Sequence, residues 1–280
     1  MYERVSIGKK RQMSCVKHTE REITMKLIAF YLPQFHEIPE NNDAWGNGFT
    51  EWVNVKKAKP LFLGHNQPRK PLQDRYYNLL YPGVMDWQMR LAKKAGIYGF
   101  CFYHYWFGDR MVLEKPAEML LKNQKIDFHY CFSWANEPWT KTWHGAGGNK
   151  EILIPQKYGG EEEWRNHYHY FRKFFMDERY IKEENCPVLL IYRLRNIPNF
   201  NDMLRCWNQW AREDGFGGIF LISMDMWREQ ASKSRLVNGT VDFEPGKTRA
   251  WMMQQTSLWK PKDSFSLLQN RFAIRSISYR

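Results

Sequence analysis

Val84-Met-Asp-Trp-Gln-Met-Arg-Leu-Ala-Lys-Lys-Ala-Gly96, running directly into Ile97-Tyr-Gly-Phe-Cys-Phe-Tyr103, decides the fold. Val84, Trp87, Leu91 and Ala95 recur at helical spacing, and Gly96 supplies the left-handed residue that ends such a helix. The apolar run after it has no polar alternation, as expected of a strand covered on both faces of a parallel sheet.

The same unit recurs on either side. Strands are predicted over Leu27–Tyr31, Phe128–Trp134, Pro187–Tyr192 and Gly218–Ser223, with a weaker one over Thr240–Phe243. Helices are predicted over 114–123, from Glu161 onward, over 201–213 and over 263–273. The helix that starts at Glu161 opens with three glutamates, favourable at the positive end of the helix dipole. Its Trp164, Tyr168, Phe171 and Phe175 form an apolar stripe that reads as core, and of His167 and His169 one is expected inside and one outside.

Six apolar strands separated by helices imply an α/β protein of the (β/α)8 TIM-barrel type, stopping after about six strand–helix units. A doubly wound open sheet is the alternative, but the first strand runs into Pro33-Gln-Phe-His36 rather than a glycine-rich turn. Residues 36–81 show no clear periodicity, and a connection of that length in a compact domain is usually functional.

Composition narrows the function classes. The 280 residues carry a formal net charge of +12 with a pI near 9.4. Residues 1–26 account for +4 and residues 246–280 for +6, so the body between 27 and 245 is close to neutral. A nucleic-acid surface needs its Lys and Arg on one folded face, so no nucleic-acid partner is expected. The division is therefore a frayed basic extension (1–26), a barrel body (27–245) and a basic, degraded or truncated barrel end (246–280). Five cysteines without a C-x-x-C spacing read as reduced thiols of a cytoplasmic chain. No apolar run approaches the length of a membrane span or of a signal peptide core. Oligomeric state leaves no mark in the sequence.

The 13 Trp, 15 Tyr and 18 Phe concentrate near the strand ends. Gln34, His36 and Glu37 follow the first strand, and Tyr103-His104-Tyr105-Trp106 closes the second. Trp134-Ala-Asn136-Glu137-Pro-Trp139 follows the third, with Trp143 and His144 beyond it. Tyr192 and Arg193 follow the fourth, Asp225 and Trp227 the fifth, Glu244 the sixth. Ring faces that stack on C–H surfaces, with carboxylates that bind hydroxyls, suit a sugar site. Glu137 is the catalytic candidate: flanking Trp134 and Trp139 would desolvate it and keep it protonated as a general acid. The alternative is a rim glutamate paired with Arg193 or Lys141.

Other chemistries are poorly supported. His36-Glu-Ile-Pro-Glu40 lacks the second histidine of a zinc-protease helix and carries a proline inside it, so no metal is expected. Neither a P-loop nor G-x-G-x-x-G is present, and no cofactor is expected. Asp242-Phe-Glu244 is the only acid pair one residue apart after a strand that fits a metal-dependent sugar-nucleotide transferase.

Four motifs in fixed order carry a family resemblance: Ile28-Ala-Phe-Tyr-Leu-Pro-Gln-Phe-His36, Gly48-Phe-Thr-Glu-Trp-Val-Asn-Val55, Gly99-Phe-Cys-Phe-Tyr-His-Tyr-Trp106 and Trp134-Ala-Asn-Glu-Pro-Trp139. From about Lys26 to Pro245 the chain resembles the WbsX-type family, labelled glycosyltransferase and related to glycoside hydrolase family 99. The resemblance implies a (β/α)8 barrel, a glycan substrate and a place in bacterial lipopolysaccharide or capsular polysaccharide synthesis. For the hydrolase relatives it implies endo-cleavage through a 1,2-anhydro sugar, with a carboxylate deprotonating the sugar's own 2-hydroxyl. It points to Tyr31, His36, Trp45, Glu51, Trp52, Tyr103, His104, Tyr105, Trp134, Asn136 and Trp139 as sugar-positioning residues around Glu137.

The sequence also departs from the family pattern. Its late W-N-E-W-x-E-G catalytic motif has no counterpart in residues 246–280. Trp143-His144-Gly145 stands for W-D-G, and Pro138 for Asn. Two functions follow: a carbohydrate-active enzyme working on glycosidic bonds, or a truncated, catalytically silent glycan binder or fragment.

Overall fold

The structure is a computed structural model and describes residues 25–141, 151–224 and 236–241. In chain order it contains β1 (Ile28–Tyr31), α1 (Pro39–Trp45), α2 (Glu51–Lys57), α3 (Val84–Lys94), β2 (Gly99–Trp106), β3 (Met111–Val112) and α4 (Lys115–Lys122). It continues with β4 (His129–Trp134), β5 (Trp139–Thr140), β6 (Ile152–Ile154), α5 (Glu161–Phe175), β7 (Lys182–Glu183), β8 (Cys186–Ile191), α6 (Phe200–Glu213), β9 (Phe220–Ser223) and β10 (Gly239–Thr240).

Six strands pair in parallel in the order β1-β2-β4-β8-β9-β10. Each parallel strand lies beside the next one in sequence, and the four crossovers from β1 to β9 carry helices. A doubly wound sheet reverses its strand order at a switch point, and this one never does. The described residues therefore form an open part of a (β/α) barrel. The expected strands and helices are found with ends shifted by a few residues. β2 is the largest shift: it starts at Gly99 and runs on to Trp106, where β3 pairs with it antiparallel. Of the expected sixth strand, Thr240 lies in β10, while Asp242 and Phe243 fall outside the described residues. The helix expected at 263–273, Cys15, Asp242 and Glu244 lie outside the described residues, as do residues 1–24 and 242–280.

The stretch 36–81 holds more order than its sequence suggests. It contains α1 and α2, each seven residues, and an aromatic cluster in which Trp52 packs against Phe35 (4.6 Å), Tyr77 (5.0 Å) and Tyr76 (5.3 Å). Helices of two turns contribute too few positions for a periodic signal.

The main core lies between the sheet and α3–α6. Phe102, Tyr130, Phe132, Phe171, Phe174, Phe175 and Trp207 are all sealed from water. Trp207 donates its indole N–H to the Trp164 carbonyl (2.9 Å), tying α6 to α5. Two local devices hold the strands in place. Gly99 is required by close approach, because a Cβ there would stand 2.7 Å from the His129 carbonyl oxygen on β4. Arg179 is buried and donates to the carbonyls of Leu120, Asn123 and Ile126 (2.8–2.9 Å), at and just beyond the C-terminal end of α4, while it pairs with Asp177 at 2.6 Å.

Candidate functional site

A cavity of about 290 Å³ opens at the C-terminal ends of β1, β2, β4 and β8. It is lined by Leu32, Gln34, Tyr103, Tyr105, Ala135, Glu137, Pro138, Trp139, Thr140 and Tyr192. Three strands, β1, β4 and β8, thus deliver their first post-strand residues to one place and β2 its last tyrosines, at the rim on which barrel proteins carry their sites. A larger cavity of about 410 Å³ lies between the start of α3 and the end of α4. Its walls are chiefly apolar, with Met85, Leu120 and Ile126 among them, and it is away from the strand ends.

The pleat determines which candidates reach the cleft. Along β2, Tyr103 and Tyr105 point inward, and burial pushes the Tyr103 hydroxyl up to about 12. His104 points the other way, into the helical layer. It meets Phe171 (4.8 Å), Tyr170 (5.3 Å) and His167, whose Nε2 lies 2.9 Å from its own. His167 stacks on Trp106 at 4.3 Å, and the Trp106 indole donates to Glu163. Burial lowers His104 to about 3 and carries His167 well below the usual histidine range, with His104 adding to the effect. Both histidines are buried in the helical layer and neither lines the cleft. His169 is exposed.

The same alternation removes Tyr31, which packs between Phe100 and Phe102 and donates to Gln88 (2.6 Å). It removes Trp134, which faces Tyr158, His167 and Trp207 and donates to the Trp106 carbonyl (3.1 Å). Trp52 belongs to the loop cluster, and Trp45 stacks on Phe49 at 4.9 Å. His36 is fully buried off the cleft, lowered to about 4 by burial and by Lys115. Glu51, at the start of α2, is buried behind Tyr105, and desolvation raises its carboxyl. Trp143, His144, Asp225 and Trp227 lie outside the described residues.

Of the candidates, Tyr103, Tyr105, Glu137 and Trp139 line the cleft. Leu32, Gln34 and Tyr192 join them, and their position just after apolar strands was the available signal. Glu137 is not the desolvated acid expected from its tryptophan neighbours. Its side chain is 47% exposed, and Arg193 Nε donates to its Oε1 at 2.9 Å. The guanidinium in turn lies over the Tyr192 ring, 4.3 Å from its centroid. Asn136 holds this pair from behind. Its Oδ1 accepts from the Arg193 backbone N–H (2.8 Å), and its Nδ2 donates to the Arg193 carbonyl (2.8 Å) and the Tyr158 hydroxyl (3.0 Å). Asn136 is buried behind the cleft and is not among the residues that line it.

No group of three or more His, Cys, Asp or Glu among the described residues is arranged to hold a metal ion. No described helix is long and apolar enough to cross a membrane.

The sequence model of the family described as Glycosyltransferase WbsX matches residues 27–280. The chain belongs to the WbsX glycosyltransferase family. The match continues to the last residue, past Pro245, where the recognisable motifs stop. Two curated relatives, both described as uncharacterized protein WxcX of Xanthomonas campestris pv. campestris, are similar to it. One is 35% identical over 255 residues, covering 91% of this chain and 36% of that protein. The other is 37% identical over 219 residues, covering 78% and 31%. The chain thus spans about a third of the length of these relatives. Among solved structures it is similar to a glycoside hydrolase family 99 endo-alpha-mannosidase from Bacteroides thetaiotaomicron, with TM-score 0.44 and 15% identity over 83% of this chain and 68% of that one. A glycoside hydrolase-like protein gives TM-score 0.41 and 16% identity over 71% and 51%.

Proposed function

We propose that the chain is a carbohydrate-active barrel of bacterial polysaccharide synthesis or processing, acting on glycosidic bonds with the sugar seated in the cleft at the strand ends. The observation that carries this is the lining itself: Tyr103, Tyr105, Trp139 and Tyr192 surround one carboxylate, Glu137, held by Arg193. Aromatic faces cover the C–H surfaces of a pyranose, while the tyrosine hydroxyls and the carboxylate take its hydroxyls. Glu137 is the group placed to accept a proton from a sugar hydroxyl, and Arg193 fixes the direction of its free oxygen. We place this chemistry in the cytoplasm, in keeping with four free cysteines among the described residues.

Glycosidic chemistry ordinarily uses two carboxylates, and Glu137 is the only one among the described residues lining the cleft. That observation favours a second reading, in which this chain binds glycans without turning them over. Both readings are tested with the purified protein against released cell-envelope glycans, following binding by saturation-transfer NMR and turnover by mass spectrometry. Binding is expected, and Glu137→Gln is expected to weaken it about tenfold, the effect of losing a charged hydrogen bond. Turnover abolished by Glu137→Gln selects the enzyme. Binding without turnover selects the binder. A folded protein that neither binds nor cleaves any glycan overturns the proposal.

A further inference from the structure

From Lys56 to Leu72 the chain carries five cations, Lys56, Lys57, Lys59, Arg69 and Lys70, and no Asp or Glu, although the barrel body as a whole is close to neutral. All five are exposed. Lys56 lies over the Tyr76 ring, 4.2 Å from its centroid, and none of the five belongs to an ion pair among the described residues. Between and beside these cations Leu61, Phe62, Leu63 and Leu72 are exposed as well, Leu63 completely. Contiguous apolar surface of this kind marks a contact with something other than water.

The apolar tip is a built turn. The Leu61 backbone N–H donates to His65 Nδ1 (3.2 Å), the His65 backbone N–H donates to the Phe62 carbonyl (3.1 Å), and the Phe62 and His65 rings stack at 4.6 Å. Gly64, with φ of 83°, supplies the left-handed residue that closes it. The turn thus spends Phe62 on His65 and leaves Leu61 and Leu63 in water. At its base Trp52 of α2 is packed against Phe35, Tyr76 and Tyr77, which ties the loop to the barrel. The loop belongs to the connection from β1 to α3. A connection that follows a barrel strand lies at the C-terminal rim, so the turn rises from the same end of the barrel as the cleft.

We infer that the 56–72 loop is a membrane-docking element that seats the cleft end of the barrel on an anionic lipid surface, with Leu61 and Leu63 entering the acyl boundary and the five cations lying among the phosphates. A bilayer of anionic lipid presents both complements at once, an apolar interior beneath a plane of negative charge. Two leucines and a neighbouring ring offer far less than the roughly 800 Å² per partner that a stable protein interface buries, which argues against a protein as the occupant. No described helix crosses a membrane, so the contact is one of surface insertion. The inference stands apart from the glycan reading of the cleft.

The experiment floats the full chain with vesicles of phosphatidylcholine alone and of an equal mixture of phosphatidylcholine and phosphatidylglycerol. Binding to the mixed vesicles is expected to be at least about tenfold tighter, and to weaken at about 1 M salt, where screening acts within about 3 Å. The basic residues 1–26 and 246–280 would also be drawn to such vesicles, so the deciding variant keeps every charge. Leu61→Ser combined with Leu63→Ser is expected to weaken binding on the order of 10- to 100-fold. In the wild type, hydrogen exchange read by mass spectrometry is expected to slow over residues 59–66 when mixed vesicles are added. Circular-dichroism melting verifies that the double variant folds; if it does not, the wild-type exchange decides, and no protection of 59–66 overturns the inference. A folded double variant that binds as tightly as the wild type also overturns it, assigning the binding to the basic ends. So does a wild type that leaves the vesicles unbound or binds both kinds equally. Leucine-dependent dimers in sedimentation without vesicle binding overturn it as well, making the turn a contact between two copies of the chain.

Discussion

The two faces of strand β2 carry nearly the same kind of residue and meet different fates. Phe100, Phe102, His104 and Trp106 face α5 and its neighbours in a water-free layer, whereas Tyr103 and Tyr105 face the cleft. In sequence they interleave, and a strand offers its residues to opposite sides in strict alternation. The comparison teaches that an aromatic at a strand end is a site residue or a core residue by parity alone. His104 and Tyr105 are adjacent, yet one is locked against His167 and the other borders open space.

The contrast is broken most directly by truncation on the helical side. Phe171 has no exposed surface and touches His104, His167 and Trp207. Phe171→Ala is expected to cost about 3–5 kcal/mol, read from chemical denaturation. A loss below about 1 kcal/mol would show that layer to be loosely packed. Next comes the acid response of the buried imidazoles. His104, His167 and His36 resist protonation when folded, first because of burial, whereas an unfolded histidine takes its proton near pH 6.5. The native state therefore refuses protons that the unfolded chain accepts. Stability falls as pH drops below about 6.5 and goes on falling toward the folded values of about 4 for His36 and about 3 for His104. Between pH 7 and pH 5 the expected loss in urea is on the order of 2–4 kcal/mol. A flat profile would mean that water reaches these rings. Glu51 and Glu163, raised by burial, act in the opposite sense, losing stability as pH rises through the carboxylate range. The smallest effect belongs to the cleft side: Tyr103→Phe keeps the ring and its 5.6 Å stack on Phe30, so stability should change by less than about 1 kcal/mol. Its effect should appear in glycan binding instead, and the reverse pattern would place Tyr103 in the core.

The barrel-type order was legible because each apolar run is followed by a helix with a clean stripe. Gly96, with φ of 77°, ends α3 as its sequence suggests. What was not legible was the facing of each strand. A sheet covered on one side by helices and filled on the other by tyrosines shows no polar–apolar alternation, so nothing in Tyr103-His104-Tyr105 marks the histidine as the one that faces the helices. The aromatic motif shared with the family obscured the same point for Tyr31 and Trp134. The place of Glu137 on the cleft was legible because it comes soon after the end of β4. Its partner Arg193, 56 residues later, was one of two cations named as alternatives, and only the β4–β8 pairing distinguishes it from Lys141.

Asn136 grips the main chain of Arg193 at both its N–H and its carbonyl, across two neighbouring strand ends. If the barrel mouth widens or twists as ligands come and go, the acid and the guanidinium travel as one body, and the angle between them is preserved while the walls around them move.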